Sequence, residues 1–215
     1  MKRTKSEVAS IFVDAQKGFT PICPEELPVE GGHEIVPHLL FMATLAAFHA
    51  ASRDAHSRTA PWMVASHDQM LQPTGLKHAD LTWVPHCVVG TLGFELLDGL
   101  PRPLEYDYMV NKGIDPDLHP YGACYHDLDN QNTTGLIEVL RINGIKRVLV
   151  GGLATDYCVK TTVLQLLAAG FEVVVYLPAC RAIAEATEIA ALAEMINAGA
   201  VLARNESELE ELAYN

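Results

Sequence analysis

One short segment of this sequence places a thiol where backbone geometry could make it a nucleophile. The segment 151–159 (GGLATDYCV) follows an apolar run and opens an amphipathic one, which predicts a strand that turns directly into a helix. Thr155 or Asp156 is placed to cap that helix, so Cys158 falls in its first turn. The helix dipole and the unpaired N–H groups there favour the thiolate, and the same N–H groups could hold an oxyanion. The segment therefore predicts an active site.

The apolar periodicity along the chain predicts the elements that must position this segment. Strands are expected at Val8–Val13, Trp62–Ser66, Asp107–Val110, Arg147–Val150, Phe171–Tyr176 and Val201–Leu202. Helices are expected at Glu34–Ala51, Gly135–Asn143, Asp156–Ala169, Thr187–Ala198 and Glu206–Leu212. Because strands and helices alternate and the central strands are almost entirely apolar, the predicted fold class is α/β. We expect one Rossmann-like domain over residues 1–215, a three-layer sandwich whose mostly parallel sheet has about six strands with helices on both faces.

Ligands of open parallel sheets bind at the carboxyl ends of the strands. Four residues lie just beyond predicted strand ends, namely Asp14, Asp68, Lys112 and Ala154. The stretch 68–106 is rich in loop residues and too long for a simple connection, which is typical of a functional loop.

Composition limits the class of protein and its partners. The 215 residues are 49% hydrophobic and 20% charged, as expected for a soluble domain with a substantial core. The net charge of −12 argues against nucleic acid or an anionic membrane surface as a partner, and no apolar run reaches the ~18 residues of a membrane span. The first residues are interpreted as a strand rather than a signal peptide. Five cysteines without a C-x-x-C pair argue against a disulfide framework and favour a reducing cytoplasm.

Three further motifs accompany the Cys158 segment, in chain order. They are FVDAQKGF at 12–19, WVPHCVVGT at 83–91, and NKGID at 111–115 followed by YGAC at 121–124. Together the four motifs resemble the nicotinamidase branch of the isochorismatase-like cysteine hydrolases, and the resemblance runs from about residue 8 to residue 184. It implies a homo-oligomer that acts on a small-molecule amide and needs no organic cofactor.

The resemblance implies a catalytic triad of Asp14, Lys112 and Cys158. In these roles Asp14 takes the thiol proton and later returns it to the departing ammonia. Lys112 keeps Asp14 ionised and stabilises the thiolate. Cys158 attacks the amide carbon and forms a thioester that water hydrolyses. The family's oxyanion hole corresponds to the backbone N–H groups of Ala154 and Cys158, with a cis peptide bond at Leu153–Ala154.

The resemblance also implies which side chains contact the substrate. Aromatic side chains flank a flat ring in the family, and the implied substrate-binding residues here are Gln16, Phe19, Trp83 and Tyr121. After Tyr121 the family usually has Ser, Ala and Phe, whereas this chain has Gly122 and Cys124 at the first and third of these positions. That difference predicts a pocket of altered size or polarity.

The family's divalent metal is the point at which this sequence departs most from the pattern. The metal contacts a pyridine nitrogen and is bound by an Asp and two His, one of which corresponds to His86. The segment SHDQM at 66–70 corresponds to the other two ligands by its place after the predicted second strand, so Asp68 is retained and Met70 stands where a His is expected. A thioether is a poor ligand for zinc, manganese or iron(II).

Three interpretations of this metal site remain open. The metal is absent, or Asp68 and His86 hold it together with water, or a displaced histidine such as His67 or His78 completes the site. The other histidines have no spacing typical of ligands and are predicted at the solvated surface: His33, His38, His49, His56, His119 and His126.

Three functions follow from the motifs. The first is hydrolysis of nicotinamide or a similar carboxamide to the acid and ammonia. The second is hydrolysis of another small amide, N-carbamoyl or ureido compound, which Met70, Gly122 and Cys124 favour. The third is a non-catalytic member that binds a metabolite or a partner protein, against which the retained triad argues.

Overall fold

The computed structural model describes residues 2–215, and its central feature is a six-stranded parallel sheet. The strand order is β5-β2-β1-β6-β7-β8, and every neighbouring pair is parallel. The strands are β1 (Val8–Val13), β2 (Phe48–Asp54), β5 (Tyr108–Lys112), β6 (Arg147–Leu153), β7 (Glu172–Arg181) and β8 (Val201–Ala203). A separate antiparallel hairpin is formed by β3 (Pro73–Leu76) and β4 (Ala79–Leu81). The order of the sheet strands along the chain reverses between β1 and β6, which is where such sheets bind ligands.

Helices cover both faces of the sheet. They are α1 (Val36–Thr44), α2 (Leu136–Ile142), α3 (Lys160–Ala168), α4 (Glu185–Asn197) and α5 (Glu206–Tyr214). Buried side chains of α1 and α5 belong to one core cluster, and those of α2, α3 and α4 belong to the other. The predicted α/β class, with a three-layer arrangement around a parallel sheet, is therefore confirmed.

Strand β1 shows how the sequence builds both layers. All six of its residues are buried. Val8 and Phe12 join the core cluster on the α1 side, whereas Ala9, Ile11 and Val13 join the cluster on the other side. Alternate side chains of a strand point to opposite faces, so a strand buried on both faces is apolar almost throughout.

The second strand is not where the periodicity predicts it. The predicted strand at Trp62–Ser66 is wrong, because this stretch is a turn region with a single bridge from Met63 to Trp83. The strand is Phe48–Asp54, and the helix predicted over Glu34–Ala51 ends at Thr44. The alanine-rich run before Asp54 favours a helix locally, but pairing between β1 and β5 buries it as a strand. Consequently the carboxyl end of the second strand is Asp54 and not Asp68.

The stretch 68–106 contains more regular structure than expected. It includes the β3–β4 hairpin and two short 3-10 turns, Leu92–Phe94 and Pro103–Glu105. Among residues 2–215, no helix has both the length and the apolar character needed to cross a membrane.

Candidate active site

Three elements bring Asp14, Lys112 and Cys158 together. Asp14 directly follows β1, Lys112 ends β5, and Cys158 lies in the turn after β6. The Lys112 Nζ is 3.0 Å from Asp14 Oδ2 and 3.7 Å from Cys158 Sγ. All three residues are buried, with Cys158 5% exposed and the other two fully enclosed. The three residues expected to form the triad therefore form one acid–lysine–thiol cluster, which is the name used for them below.

Asp14 is held in place by the neighbouring strand. Its φ of 44° lies in the left-handed region, which is uncommon for a residue with a side chain and is often found at functional sites. Its N–H donates to the Ser52 carbonyl (3.2 Å), and the Ser52 hydroxyl donates to Asp14 Oδ1 (2.7 Å). Ser52 is absent from the predicted site residues, because a helix is predicted for the stretch that leads into it.

Cys158 lies in a π-helical turn, Thr155–Val159, that precedes α3. The Val159 N–H donates to the Ala154 carbonyl (3.1 Å), and the Leu153–Ala154 peptide bond is cis, as the resemblance implies. The Ala154 N–H has no acceptor within the described part of the chain, residues 2–215. An unpaired N–H beside the thiol is the arrangement that an oxyanion hole requires.

Neither Thr155 nor Asp156 caps this turn, contrary to the prediction. The Asp156 carboxylate accepts hydrogen bonds from the Ile183 N–H (3.1 Å), the Ala184 N–H (3.3 Å) and the Thr187 hydroxyl (2.5 Å). Asp156 therefore fastens the turn that carries the thiol to the start of α4.

Burial decides the proton positions in the acid–lysine–thiol cluster. Burial raises the pKa of the Cys158 thiol well above its usual value, and the Lys112 charge only partly opposes this. The thiolate expected from the helix dipole alone is therefore not favoured in the free protein. Burial also raises the pKa of Asp14. Burial lowers the pKa of Lys112, but Asp14 and Asp54 outweigh it and raise that pKa well above normal. Cys158 thus starts as a thiol and needs a nearby base.

A second cluster adjoins the first and consists of Asp54, His56, His86 and His119; it is called the histidine cluster below. The His56 Nε2 is 3.5 Å and the His86 Nε2 is 3.8 Å from Asp54 Oδ2. The Nδ1 atoms of these rings face backbone carbonyls, of Gly113 (3.3 Å) for His56 and of Val84 (2.8 Å) for His86. A carbonyl at Nδ1 fixes the tautomer that leaves Nε2 free to bind a metal.

The protonation states of the histidine cluster suit a divalent transition metal. Burial, followed by His56, lowers the pKa of His86 to about 3, and burial lowers the pKa of His119 well below normal. Burial works to raise the pKa of Asp54, but Lys112 and His56 outweigh it and hold that pKa well below normal. Neutral imidazoles such as those of His86 and His119, beside a carboxylate, are donors that zinc and iron(II) accept. The His56 Nε2 is buried without a hydrogen-bond partner among residues 2–215, as a ligand atom would be.

The structure corrects the predicted metal ligands. Asp68 as a ligand is wrong, since it is exposed in the turn His67–Gln69 and lies outside the group of possible ligands around His86. Met70 consequently replaces no ligand. The acidic residue and the histidine that lie beside His86 are Asp54 and His56, an Asp-x-His sequence that begins at the last residue of β2. This signal is present in the sequence, but the wrong strand assignment hides it.

The histidines also differ from the prediction. His56 and His119 were expected at the surface, yet both are buried. The two residues considered as displaced ligands have other contacts: the exposed His67 lies 2.7 Å from the Glu26 carbonyl through Nε2, and the His78 carbonyl accepts the His119 N–H. Neither belongs to the histidine cluster.

A small cavity opens beside Cys158 and the histidine cluster. Its aromatic walls are Phe19, Trp83, Tyr121 and Tyr157. The Trp83 Nε1–H donates to the Tyr121 hydroxyl (3.3 Å), which in turn donates to Asp80 Oδ1 (2.8 Å) in the hairpin. Three of the predicted substrate-binding residues therefore line one cavity, and Tyr157 is an additional wall that the motifs did not indicate.

Gln16, a predicted substrate-binding residue, is not among the side chains that line this cavity. Its side chain is fully buried, with Nε2–H donating to the Asp54 carbonyl (2.8 Å) and Oε1 accepting the Asp54 N–H (2.8 Å). Gln16 therefore positions the backbone of Asp54.

Gly122 and Cys124 also lie outside the cavity walls, so the expected change in pocket size does not follow from them. A Cβ at Gly122 would collide with the side-chain amide of Gln165. That amide accepts the Cys124 N–H (3.1 Å) and donates to Asn130 Oδ1 (2.7 Å). Gly122 thus makes room for a buried glutamine that supports the loop.

Known proteins share this sequence and architecture. A nicotinamidase from Acinetobacter baylyi is 32% identical over 181 residues, which cover 81% of this chain and 81% of that protein. The structure of a nicotinamidase/pyrazinamidase from Acinetobacter baumanii superimposes with a TM-score of 0.86 at 28% identity, covering 96% of this chain and all of the other. A Pyrococcus horikoshii pyrazinamidase in complex with zinc gives a TM-score of 0.72 at 32% identity, covering 93% of this chain and 99% of the other.

The Isochorismatase domain matches residues 8–207. The matched range includes all six strands of the sheet, both clusters and the cavity walls. With a match of this length and a relative of this identity, the chain belongs to the Isochorismatase domain family.

Proposed function

We propose that this protein is a cysteine amidohydrolase of nicotinamidase type, which converts nicotinamide or a similar small aromatic carboxamide and water to the acid and ammonia. The observation that carries the proposal is the Cys158 thiol at the wall of a small aromatic cavity, with Lys112 Nζ 3.7 Å from its sulfur and 3.0 Å from the Asp14 carboxylate. The nicotinamidases among its relatives support the same substrate class.

The cavity suits one flat ring. Phe19 and Trp83 line it beside Cys158, so a ring held between aromatic side chains would direct its carboxamide at the sulfur.

The chemistry begins at the thiol. Asp14 takes the Cys158 proton as the sulfur attacks the amide carbon, and the N–H groups of Ala154 and Cys158 receive the negative charge on oxygen. Asp14 then gives the proton to the leaving nitrogen, so that ammonia departs and a thioester remains. Asp14 next takes a proton from water, which attacks the thioester, and the acid and the Cys158 thiol are regenerated. Lys112 remains protonated and balances the carboxylate and the developing thiolate.

The histidine cluster would assist binding. Asp54, His56 and His86 would hold a divalent metal, for which zinc, manganese and iron are the candidates. Such a metal supplies a Lewis acid that anchors a ring nitrogen. We further propose that the protein works in the cytoplasm as a homo-oligomer.

Of the other functions, the one involving a different small amide loses its support. Met70 replaces no ligand, and Gly122 and Cys124 do not line the cavity. A purely non-catalytic role is disfavoured because the acid–lysine–thiol cluster is intact and adjoins the cavity.

Ammonia release tests the proposal. Nicotinamide, pyrazinamide, benzamide and an N-carbamoyl amino acid would be compared with wild type, Cys158→Ala and the control Cys23→Ala, with and without a chelator. We expect nicotinamide hydrolysis by wild type and Cys23→Ala and a loss of at least about 10⁴-fold in Cys158→Ala. Release of ammonia only from the N-carbamoyl compound would show that the protein hydrolyses a different small amide and is not of nicotinamidase type. Release of ammonia from none of the four compounds would refute the proposed amidohydrolase activity.

A further inference from the structure

His119 is a buried side chain for which the acid–lysine–thiol chemistry has no use. It is 3% exposed, and its backbone N–H is held by the His78 carbonyl at 2.7 Å. Neither of its ring nitrogens has a hydrogen-bond partner within residues 2–215. Leaving polar nitrogens buried and unpaired is unfavourable, so a ring in this position points to a ligand that the protein itself does not supply.

The three imidazoles of the histidine cluster have the spacing of rings around one ion. The ring centroids are 4.7 Å apart for His56 and His86, 5.0 Å for His56 and His119, and 5.5 Å for His86 and His119. Imidazoles bound to one tetrahedral zinc at about 2.0–2.1 Å have centroids about 5 Å apart. One nitrogen from each ring lies within 4.8 Å of the others.

Two tryptophans hold the His119 ring in this position. Trp62 packs edge-on against it, with ring centroids 4.4 Å apart, and Trp83 lies nearly parallel to it at 5.9 Å. With these neighbours and 3% exposure, the ring nitrogens lie away from bulk water within the cavity lining.

We propose that His119 is a third imidazole ligand of a divalent transition metal, zinc foremost, which it would bind together with His56 and His86 and with the Asp54 carboxylate beside those two rings. This inference rests on the proposed metal-assisted amidase function and specifies its metal site. One carboxylate and three imidazoles leave a further position for a ring nitrogen on an ion that expands to five-coordinate, and imidazole-rich sets favour zinc, iron(II) or nickel over magnesium or calcium.

Metal binding without substrate tests the role of His119. Metal-stripped full-length protein would be titrated with Zn²⁺ against a chromophoric chelator and loaded with Co²⁺ for its visible spectrum. The variants are His119→Phe, which keeps an aromatic ring between the two tryptophans, and the control His33→Ala at an exposed histidine. We expect His119→Phe to weaken Zn²⁺ binding at least about 100-fold and to change the Co²⁺ spectrum, with the control equal to wild type. Unchanged zinc affinity and spectrum in His119→Phe would overturn the inference.

X-ray absorption of zinc-loaded wild type answers the same question without a substitution, should His119→Phe fail to fold. Three imidazoles in the zinc shell support the inference, whereas two imidazoles, or no zinc bound, refute it. Ammonia release from nicotinamide is measured separately on the same protein. Zinc binding that depends on His119 without any hydrolysis would refute the proposed function alone. If nicotinamide is hydrolysed but His119→Phe binds zinc as tightly as wild type, only the ligand role of His119 is refuted.

Discussion

The acid–lysine–thiol cluster and the histidine cluster lie side by side at the carboxyl ends of the same sheet, yet they are built differently. In the first, Lys112 Nζ forms an ion pair with Asp14 Oδ2 at 3.0 Å, although that oxygen has no hydrogen bond among residues 2–215, and the Ser52 hydroxyl donates to the other oxygen. In the second, buried nitrogens of His56 and His119 have no partner within residues 2–215. The ion pair between two protein groups suits a reacting carboxylate that the protein itself holds in place, whereas the unpaired nitrogens of the second cluster suit the binding of a ligand from outside.

Lys112 links the two clusters. Its ammonium is in contact with both Asp14 and Asp54, and it is the positive charge that both buried carboxylates share. We therefore expect a substitution of Lys112 to affect both clusters and substitutions elsewhere to affect only one of them.

The largest effect is expected from Lys112→Met. Removing the cation leaves two buried carboxylates unpaired, which costs about 3–5 kcal/mol of unfolding free energy and abolishes ammonia release. Urea denaturation and the ammonia assay measure these effects, and Lys77→Met is the matched control because Lys77 forms an exposed ion pair with Asp129. Equal unfolding free energies of the two variants would show that Lys112 does not stabilise the buried carboxylates of the two clusters.

His86→Ala should separate the two clusters. Because His86 belongs only to the histidine cluster, we expect kcat/KM for nicotinamide to fall about 10–100-fold while that for benzamide, which lacks a ring nitrogen, changes little. The ratio of the two constants is the measurement, with exposed His33→Ala as the control. An equal fall in kcat/KM for both amides would contradict the view that the histidine cluster anchors the ring nitrogen while the acid–lysine–thiol cluster performs the hydrolysis.

Gly122→Ser probes the loop that leads into the cavity wall but belongs to neither cluster. The added side chain meets Gln165, so we expect a loss of about 1–2 kcal/mol of unfolding free energy with little change in activity per folded molecule. The same substitution in a Gln165→Ala background should cost less. A double-mutant cycle by urea denaturation measures this coupling, and additive penalties would exclude the collision as the cause.

The smallest effect is expected at the opposite end of the sheet, in Glu172→Gln. The Arg3 hydrogen bond lowers the pKa of Glu172, and Arg147 adds to this, although the carboxylate is 41% exposed and screened by solvent. A lowered folded-state pKa gives stability above the usual pKa of glutamate that is lost as the pH falls through the folded-state pKa. Wild type should exceed the variant by less than about 1 kcal/mol at pH 7 and match it in strong acid. A difference independent of pH in urea denaturation would rule out the ion pair as its source.

The sequence by itself determined the fold class and the acid–lysine–thiol cluster. Alternating apolar strands and helices are local patterns, and Asp14, Lys112 and Cys158 each belong to a motif at or just after a strand end. Parallel strands bring their carboxyl ends to one edge, so identifying the strand ends was enough to expect that these residues meet.

Only the tertiary structure decided the second strand and, with it, the metal-ligand candidates. The chain before Asp54 favours a helix from its own composition, and burial between β1 and β5 overrides that preference, so Asp54 and His56 replaced Asp68 and Met70 as the candidates. His119 joins from a distant loop. The pKa of the Cys158 thiol also differs from the sequence-based expectation. The helix start favours a thiolate locally, whereas burial by the whole fold raises the pKa. Local periodicity reports neighbours along the chain, whereas burial and strand pairing depend on residues that only folding brings near.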